Sequence, residues 1–237
     1  MKREALEKNI RVVEERIEAA CDRAGRKRSD VEIVAVTKTH PPDVVRTAAA
    51  LGLRIFGESK VQEARLKIPD VGDGLRWDLI GHLQTNKARD AVRLFELIHS
   101  IDSLRLAEAV EKEAAQAGKC QRVLLEVNVS GEKSKFGIAP DRLDETLRSV
   151  NTLPHVAVEG LMTMAPFAED PEKARPYFRR LREIRDRACH DSGIPLPHLS
   201  MGMSGDFEAA VEEGATLVRV GIALFGERRA AKKTVED

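Results

Sequence analysis

Lys38 ends an apolar run early in the chain, and a lysine in that position can do chemistry. The run Val31–Lys38 (VEIVAVTK) is rich in β-branched and aliphatic residues, and Pro41 and Pro42 follow it closely. Such a run is typical of a strand that is buried on both faces, as in a parallel sheet. At the tip of that strand, a partly desolvated lysine has a lowered pKa, and its neutral amine can attack a carbonyl. The alternative is an ordinary lysine whose ammonium group reaches solvent at the rim of the sheet.

Two glycine-containing stretches late in the chain are typical of loops that bind anions. They are Leu199–Asp206 (LSMGMSGD) and Val218–Gly226 (VRVGIALFG). Gly202 and Gly221 permit close approach of the backbone, and Ser204 is expected to cap the helix that follows it, where exposed amides attract anions. Each stretch is also compatible with an ordinary glycine turn.

Arg219 lies two residues before Gly221, so both residues point to the same face if this segment is a strand. A reactive lysine and a phosphate-binding loop together suit a phosphorylated aldehyde. Pyridoxal 5′-phosphate (PLP) is the leading candidate, because its aldehyde forms a Schiff base with lysine. Arg219 could donate to the pyridine nitrogen, and since arginine stays protonated, that nitrogen would stay unprotonated and the cofactor would be a weak electron sink. The alternative is that Arg219 forms a salt bridge inside the protein.

The elements that must position these residues follow a regular alternation of apolar runs and helical patterns. The predicted strands are Val31–Lys38, Leu53–Phe56, Trp77–Ile80, Leu97–Ile101, Arg122–Val127, Val156–Leu161, His198–Met201 and Thr216–Val220. This alternation predicts an α/β fold, a single-domain (β/α)₈ TIM barrel with its active site at the carboxyl ends of the strands. An open doubly wound sheet is the competing architecture, and it is disfavoured because no GxGxxG motif follows the first strand.

The domain organisation predicted from the sequence is one PLP-binding unit over residues 1–237. Residues 1–25 form an additional amphipathic helix at its start, and residues 228–237 form a charged tail. The helix is expected to pack on the barrel, although it could also bind a partner.

Composition excludes several classes of function. Lys and Arg together number 39, as do Asp and Glu, and only 4% of the 237 residues are aromatic, which argues against a nucleic-acid-binding protein. The three cysteines show no CxxC spacing, which favours a reducing cytoplasmic location, and the histidines show no metal-ligand spacing. No apolar run approaches the ~20 residues of a membrane span.

Several segments together carry a resemblance to a known family. In chain order they are Val34–Thr39 (VAVTKT), Phe56–Glu63 (FGESKVQE), Trp77–Lys87 (WDLIGHLQTNK), Gly160–Met164 (GLMTM), Leu199–Ser204 (LSMGMS) and Val218–Gly226 (VRVGIALFG). With these segments the chain resembles the pyridoxal phosphate homeostasis proteins. The resemblance implies the barrel of the alanine racemase N-terminal domain and a non-catalytic, single-domain PLP carrier that acts in vitamin B6 homeostasis.

The resemblance also implies roles for individual residues. Lys38 corresponds to the Schiff-base lysine and Arg219 to the partner of the pyridine nitrogen. The other implied cofactor-binding residues include a phosphate end formed by Ser200, Met201, Gly202, Ser204, Gly221 and the backbone of Ile222. His82 and Met162 are implied to line the ring pocket, and Ser59 is a further cofactor-binding position. Ser59 stands where the family usually has asparagine, so a side-chain contact to the cofactor is either lost there or mediated by water. Ile222 stands where the family often has threonine, which removes a hydroxyl from the phosphate site but leaves the backbone amide.

Two enzymatic functions are kept beside the carrier hypothesis. A PLP-dependent amino-acid racemase needs a second acid/base, which the alanine racemases take from a tyrosine in a further C-terminal domain. That domain is expected to be absent, and Tyr177, the one tyrosine of this chain, falls on a predicted outer helix. A Schiff-base aldolase that acts on a sugar phosphate would use Lys38 and the same phosphate-binding loops. PLP-dependent apo-enzymes are the conceivable protein partners, and a monomer is expected.

Overall fold

Eight parallel strands form a closed barrel in the computed structural model, which describes residues 2–132 and 134–227. The strands are β1 (Glu32–Val36), β2 (Ile55–Glu58), β3 (Arg76–Leu79), β4 (Leu97–Ile101), β5 (Gln121–Glu126), β6 (Val156–Met162), β7 (His198–Met203) and β8 (Leu217–Val220). Strand β8 pairs with β1, with Arg219 opposite Val34 and Val220 opposite Ala35, and this pairing closes the barrel. The predicted (β/α)₈ fold is therefore confirmed.

Helices surround the barrel and connect its strands. They are α1 (Arg3–Arg23), α2 (Pro42–Ala50), α3 (Val61–Val71), α4 (Ala88–Leu94), α5 (Leu104–Ala117), α6 (Leu143–Val150), α7 (Arg175–Ser192), α8 (Phe207–Glu212) and α9 (Ile222–Phe225). Helix α1 is the predicted additional helix. Its Asn9 side chain donates to the carbonyl of Leu224 at 2.8 Å, and Arg16 forms an ion pair with Glu208 at 2.6 Å, so it packs against α8 and α9. The tail predicted over 228–237 lies outside the described residues.

Three strands end two residues away from their predicted carboxyl ends, and β3, β5 and β6 end one residue away. Strand β1 ends at Val36 and not at Lys38, because the chain turns at Thr37 and Lys38 already lies in the loop. Strand β2 continues through Gly57 to Glu58, and β7 continues to Met203 through an irregularity in its pairing with β8. The longer β2 adds Glu58, a buried carboxyl group that accepts a hydrogen bond from the Thr37 hydroxyl.

The barrel interior has apolar and polar parts. Its apolar part is a cluster of buried side chains separate from the larger core between barrel and helices, and it consists of Val34, Val36, Ile55, Ile80, Leu97, Leu124, Met162 and Leu217. Side chains alternate between the two faces of a strand, so Val34 and Val36 both point into the barrel. The same alternation puts Arg219 inside, two positions beyond Leu217.

Candidate functional site

Lys38 lies at the carboxyl-end mouth of the barrel, two residues after β1 ends, and is half-buried. Its neighbour Thr39 has a φ of 68°, a left-handed conformation that is rare for a β-branched residue. The amide of Thr37 donates to the carbonyl of Gly57 on β2 at 3.1 Å, which anchors the start of this loop to the neighbouring strand. The reactive position predicted from the sequence is therefore held at the edge of the barrel mouth.

Arg219 lies fully within the barrel on β8. Its Nη1 donates to the Ser200 hydroxyl at 2.6 Å, and its Nη2 donates to the carbonyl of Thr163 at 2.9 Å. Burial lowers the pKa of Arg219 to about 10, so the group remains a cation at neutral pH. Glu126 and Asp206 are the acidic side chains whose charges act on it, but among the described residues none forms an ion pair with Arg219. The guanidinium group of Arg219 is therefore held by hydrogen bonds to Ser200 and Thr163 and not by a salt bridge.

A line of buried polar groups continues from Arg219 across the barrel. The Ser200 hydroxyl lies 2.9 Å from His99 Nδ1, and His99 Nε2 lies 3.1 Å from Asp78 Oδ2. Arg76 donates from Nε and Nη2 to the same Asp78 carboxylate at 2.9 and 3.0 Å. We call this line the barrel relay: Arg219, Ser200, His99, Asp78 and Arg76.

The donors and acceptors of the barrel relay assign its protonation. Complete burial lowers the pKa of His99, so the ring is neutral at pH 7. Burial opposes ionisation of Asp78, but the bonds from His99 and Arg76 outweigh it and lower the pKa of Asp78. His99 therefore donates from Nε2 to the Asp78 carboxylate and accepts the Ser200 proton at Nδ1. This leaves the Ser200 oxygen free to accept from Arg219, so each polar group has a consistent partner.

Ser204, Gly221 and Ala223 come together where the chain leaves β7 and β8. The Ser204 hydroxyl accepts from the amide of Gly221 at 3.1 Å and from the amide of Ala223 at 3.2 Å, at the start of α9. Gly221 packs against β1, where an added Cβ would lie 3.4 Å from the Val36 Cβ. The expectation that Ser204 caps α8 is wrong, because Asp206 is the residue that precedes that helix and Ser204 faces Gly221 instead.

Gly202 and Met201 lie on β7, just before the loop that carries Ser204. Gly202 has a φ of +87°, and an added Cβ would lie 2.5 Å from the Cβ of Ala210, so the backbone packs directly on α8. Met201 is fully buried in the core between barrel and helices. Gly202 and Met201 can therefore present only their backbone atoms to the barrel mouth.

The predicted ring-pocket residues lie around the same mouth. Met162 is buried inside the barrel, and Ser59 follows β2 directly. His82, after β3, stacks on Phe136 with a centroid separation of 3.7 Å, and its Nδ1 lies 3.3 Å from Asp102 Oδ2. Ile222 is 58% exposed, so its side chain points into solvent beside the mouth.

Glu126 is a mouth residue that the sequence did not indicate. It ends β5 on the same face as the interior residue Leu124 and is 7% exposed. Burial, together with the negative charge of Asp102, raises the pKa of Glu126 to about 7, while Arg219 opposes this rise. A carboxyl group that exchanges its proton near neutral pH therefore lies at the barrel mouth.

Comparison with known proteins identifies the family. The family model for the alanine racemase N-terminal domain matches residues 2–229. A pyridoxal phosphate homeostasis protein of Aquifex aeolicus is 48% identical over 226 residues, which cover 95% of this chain and 99% of that protein. The chain belongs to the pyridoxal phosphate homeostasis protein family. The resemblance inferred from the sequence motifs is confirmed.

Solved structures of similar proteins agree with the barrel. A crystal structure of a protein from Bifidobacterium adolescentis has a TM-score of 0.88 and 35% identity, and the match covers 94% of this chain and 95% of that one. The PipY protein of Synechococcus elongatus, solved with PLP bound, has a TM-score of 0.79 and 38% identity over 83% of this chain and 93% of that chain. The curated relatives are named for homeostasis and not for a reaction.

The described part of the chain contains neither a cluster of metal ligands nor a membrane-spanning helix. Within residues 2–132 and 134–227, no group of three or more His, Cys, Asp or Glu side chains could hold a metal ion. Within the same ranges, no helix has the length and apolar character needed to cross a membrane.

Proposed function

We propose that this protein binds PLP, with Lys38 as the Schiff-base lysine, and holds the cofactor without transforming it. One observation carries the proposal: the loop with Lys38 and the loop with Gly221 follow β1 and β8, which pair with each other. Neighbouring strands lie ~4.8 Å apart. An amine and a set of phosphate-binding amides on adjacent strands are therefore within reach of one small phosphorylated aldehyde.

The phosphate end of the proposed site suits its ligand. The hydroxyl of Ser204 and the amides of Gly221, Ile222 and Ala223 would hold the phosphate, since the amides of Gly221 and Ala223 already converge on one oxygen atom. Gly221 carries no side chain that would fill this space. Isoleucine at 222 removes a hydroxyl that the family often has, but it leaves the backbone amide.

The ring end of the proposed site suits storage better than catalysis. PLP supplies an aldehyde for covalent attachment and a ring that can accept electrons in enzymes that protonate its nitrogen. Arg219 would donate to that nitrogen and would keep it unprotonated, because a pKa of about 10 leaves Arg219 a permanent cation at pH 7. Ser200 would hold Arg219 in place, and Ser59, His82 and Met162 would surround the ring.

The racemase alternative lacks an evident second base. Tyr177 lies on α7 outside the barrel, and Cys21 and Cys189 also lie on outer helices. His82 and Glu126 lie at the mouth and are the side chains we consider for that role. We therefore favour a carrier that passes PLP to apo-enzymes and acts as a monomer in the cytoplasm.

Absorption spectroscopy of the purified protein with added PLP tests the proposal. We expect the visible band of a PLP Schiff base, which borohydride removes while the cofactor becomes permanently attached to Lys38. Assays with alanine and other amino acids should show no racemisation, and turnover in the enzymatic range of ~1–10³ s⁻¹ would establish the racemase instead. Cleavage of a sugar phosphate by protein that forms no PLP band would favour the aldolase.

Arg219→Glu tests the contact with the ring nitrogen. A carboxyl group in that position can share a proton with the nitrogen, so the absorption maximum of the bound cofactor should shift. Arg122→Gln is the matched control, because Arg122 pairs with Glu159 at 2.8 Å near the amino-terminal end of the barrel. An unshifted spectrum in Arg219→Glu with bound cofactor would mean that Arg219 does not contact the ring.

A further inference from the structure

Lys67 is a buried lysine outside the proposed cofactor contacts, and its ammonium group has three partners. It lies on α3 and is 5% exposed. Its Nζ donates to Glu58 Oε1 at 2.6 Å, to Glu63 Oε1 at 2.9 Å and to the carbonyl of Thr37 at 2.8 Å. We call Lys67, Glu58 and Glu63 the acidic clamp.

The acidic clamp holds the peptide groups on both sides of Lys38. The carbonyl of Thr37, which accepts from Lys67, belongs to the peptide group that joins Thr37 to Lys38. The amide of Thr39, which donates to Glu63, belongs to the peptide group that joins Lys38 to Thr39. Restraining the planes of both peptide groups restrains the two backbone dihedral angles of Lys38, and with them the direction of its Cα–Cβ bond.

A third contact strengthens the hold on the amino-terminal side of Lys38. The hydroxyl of Thr37 donates to Glu58 Oε1 at 2.7 Å, on the same oxygen that accepts from Lys67. On the other side, Thr39 keeps a φ of 68°, a strained conformation that persists only where surrounding contacts enforce it. The loop that carries Lys38 is therefore restrained through both of its threonines.

The composition of the clamp indicates a geometric role. Glu58 is fully buried, its Oε2 has no hydrogen-bond partner among the described residues, and burial raises its pKa. Buried ion pairs contribute little net stability, because desolvation of the charges offsets their attraction. An apolar contact would join α3 to β2 without the free-energy cost of desolvating charges. The charged groups are therefore better explained by their hydrogen bonds to the backbone on either side of Lys38.

We propose that Lys67, with Glu58 and Glu63, positions Lys38 for attack on the PLP aldehyde. The inference rests on the proposed function, since Lys38 is the residue that would carry the cofactor. Lys67 is a positioning residue and not a catalytic one. Its ammonium group bonds to Glu58, to Glu63 and to the backbone of Thr37, so it acts on the aldehyde only through Lys38.

The rate at which the Schiff-base band appears after mixing with PLP tests this role. Because small displacements of reacting groups slow reactions by up to ~10²-fold, Lys67→Met should form the band roughly 10- to 10²-fold more slowly than the parent protein. Lys119→Met is the matched control. Its ammonium group donates to the carbonyls of Val92 and Phe95 at 2.7 and 3.0 Å near the amino-terminal end of the barrel, so its loss should leave the rate unchanged.

Two variants at Glu63 separate positioning from folding. Glu63→Gln keeps an oxygen that can accept from the amide of Thr39, so this variant should form the Schiff-base band at a rate close to that of the parent protein. Glu63→Leu loses this acceptor and should form the band as slowly as Lys67→Met. Each rate is measured at the same interval below the melting temperature of that variant, and mass spectrometry after borohydride confirms attachment at Lys38. If Lys67→Met does not fold, the Glu63 pair gives the same test on its own.

The outcomes distinguish this inference from the proposed function. Parent protein that forms no band with PLP overturns the proposed function and the inference with it. A parent protein that forms the band, with clamp variants that form it equally fast, overturns the positioning role alone and leaves PLP binding intact.

Discussion

Protein with Lys38→Ala is expected to form no Schiff base with PLP. The amine of Lys38 is the group that would bond to the aldehyde, and alanine removes it without altering the barrel strands, because Lys38 lies beyond the end of β1. Ser204, Gly221 and Arg219 remain, so PLP should still bind, but weakly and reversibly. The measurement is the visible absorption of the protein with PLP before and after borohydride, with mass spectrometry to detect the attached cofactor.

Lys135→Ala is the control for that experiment. Lys135 lies in the loop after β5 and donates to the carbonyl of Met164 at 3.4 Å, so it is a lysine close to the same mouth. Its removal should leave the band in place. A Schiff-base band in Lys38→Ala, with the reduced adduct on Lys135 or Lys67, would contradict the assignment of the reactive amine.

Glu126→Gln is expected to change how stability depends on pH. The folded protein raises the pKa of Glu126 from 4.5 to about 7, so it binds this proton more tightly than the unfolded chain does. Glu126 therefore contributes stability that is complete below its unfolded pKa and is lost as the pH rises through about 7. By linkage, the loss is roughly 3 kcal/mol, since one pKa unit corresponds to ~1.4 kcal/mol.

Glutamine cannot ionise, so Glu126→Gln should remove this loss and leave the variant more stable than the parent protein at pH 8. Urea unfolding between pH 5 and pH 8.5 measures the difference, and comparison with the parent cancels the contributions of other buried acids. The control is Glu145→Gln, which changes an exposed carboxylate on α6. The free energy of unfolding of this variant should depend on pH in the same way as that of the parent protein. Parallel curves for Glu126→Gln as well would show that Glu126 is already ionised throughout this range.

The fold and the reactive ends of the strands could be predicted because they depend on local pattern. Eight apolar runs of strand length predict the barrel, and a lysine or arginine at the end of such a run is visible in the sequence. These patterns predict Lys38, Arg219 and Gly221 at the carboxyl end of the barrel, and the structure places them there, whereas their part in binding PLP stays a proposal. The exact turn positions do not follow from local pattern, because pairing between strands decides whether Thr37 continues β1 or leaves it.

The barrel relay could not be predicted, because both faces of its strands are buried. All five residues of β4 (LIHSI) are buried, so no alternation of polar and apolar residues shows which face His99 takes. Only the closed barrel brings His99 to Ser200 and Asp78. The prediction gave His99 no part in the site.

The acidic clamp was missed for a related reason. A lysine on an outer helix normally lies in solvent, and Lys67 lies within α3, which runs from Val61 to Val71. Its partner Thr37 is 30 residues earlier in the chain. Contacts over such distances follow from the packing of α3 on the barrel and leave no periodic trace in the sequence.

Pairing of the first and last strands has a consequence for biosynthesis. Since Lys38 lies in the loop after β1, and Arg219 and Gly221 lie on β8 and directly after it, a ribosome-bound chain that has not yet extruded β8 carries the amine without its counterpart. Under the proposed function, vitamin capture therefore awaits barrel closure, which forms contacts of high sequence separation and belongs to the slower events of folding.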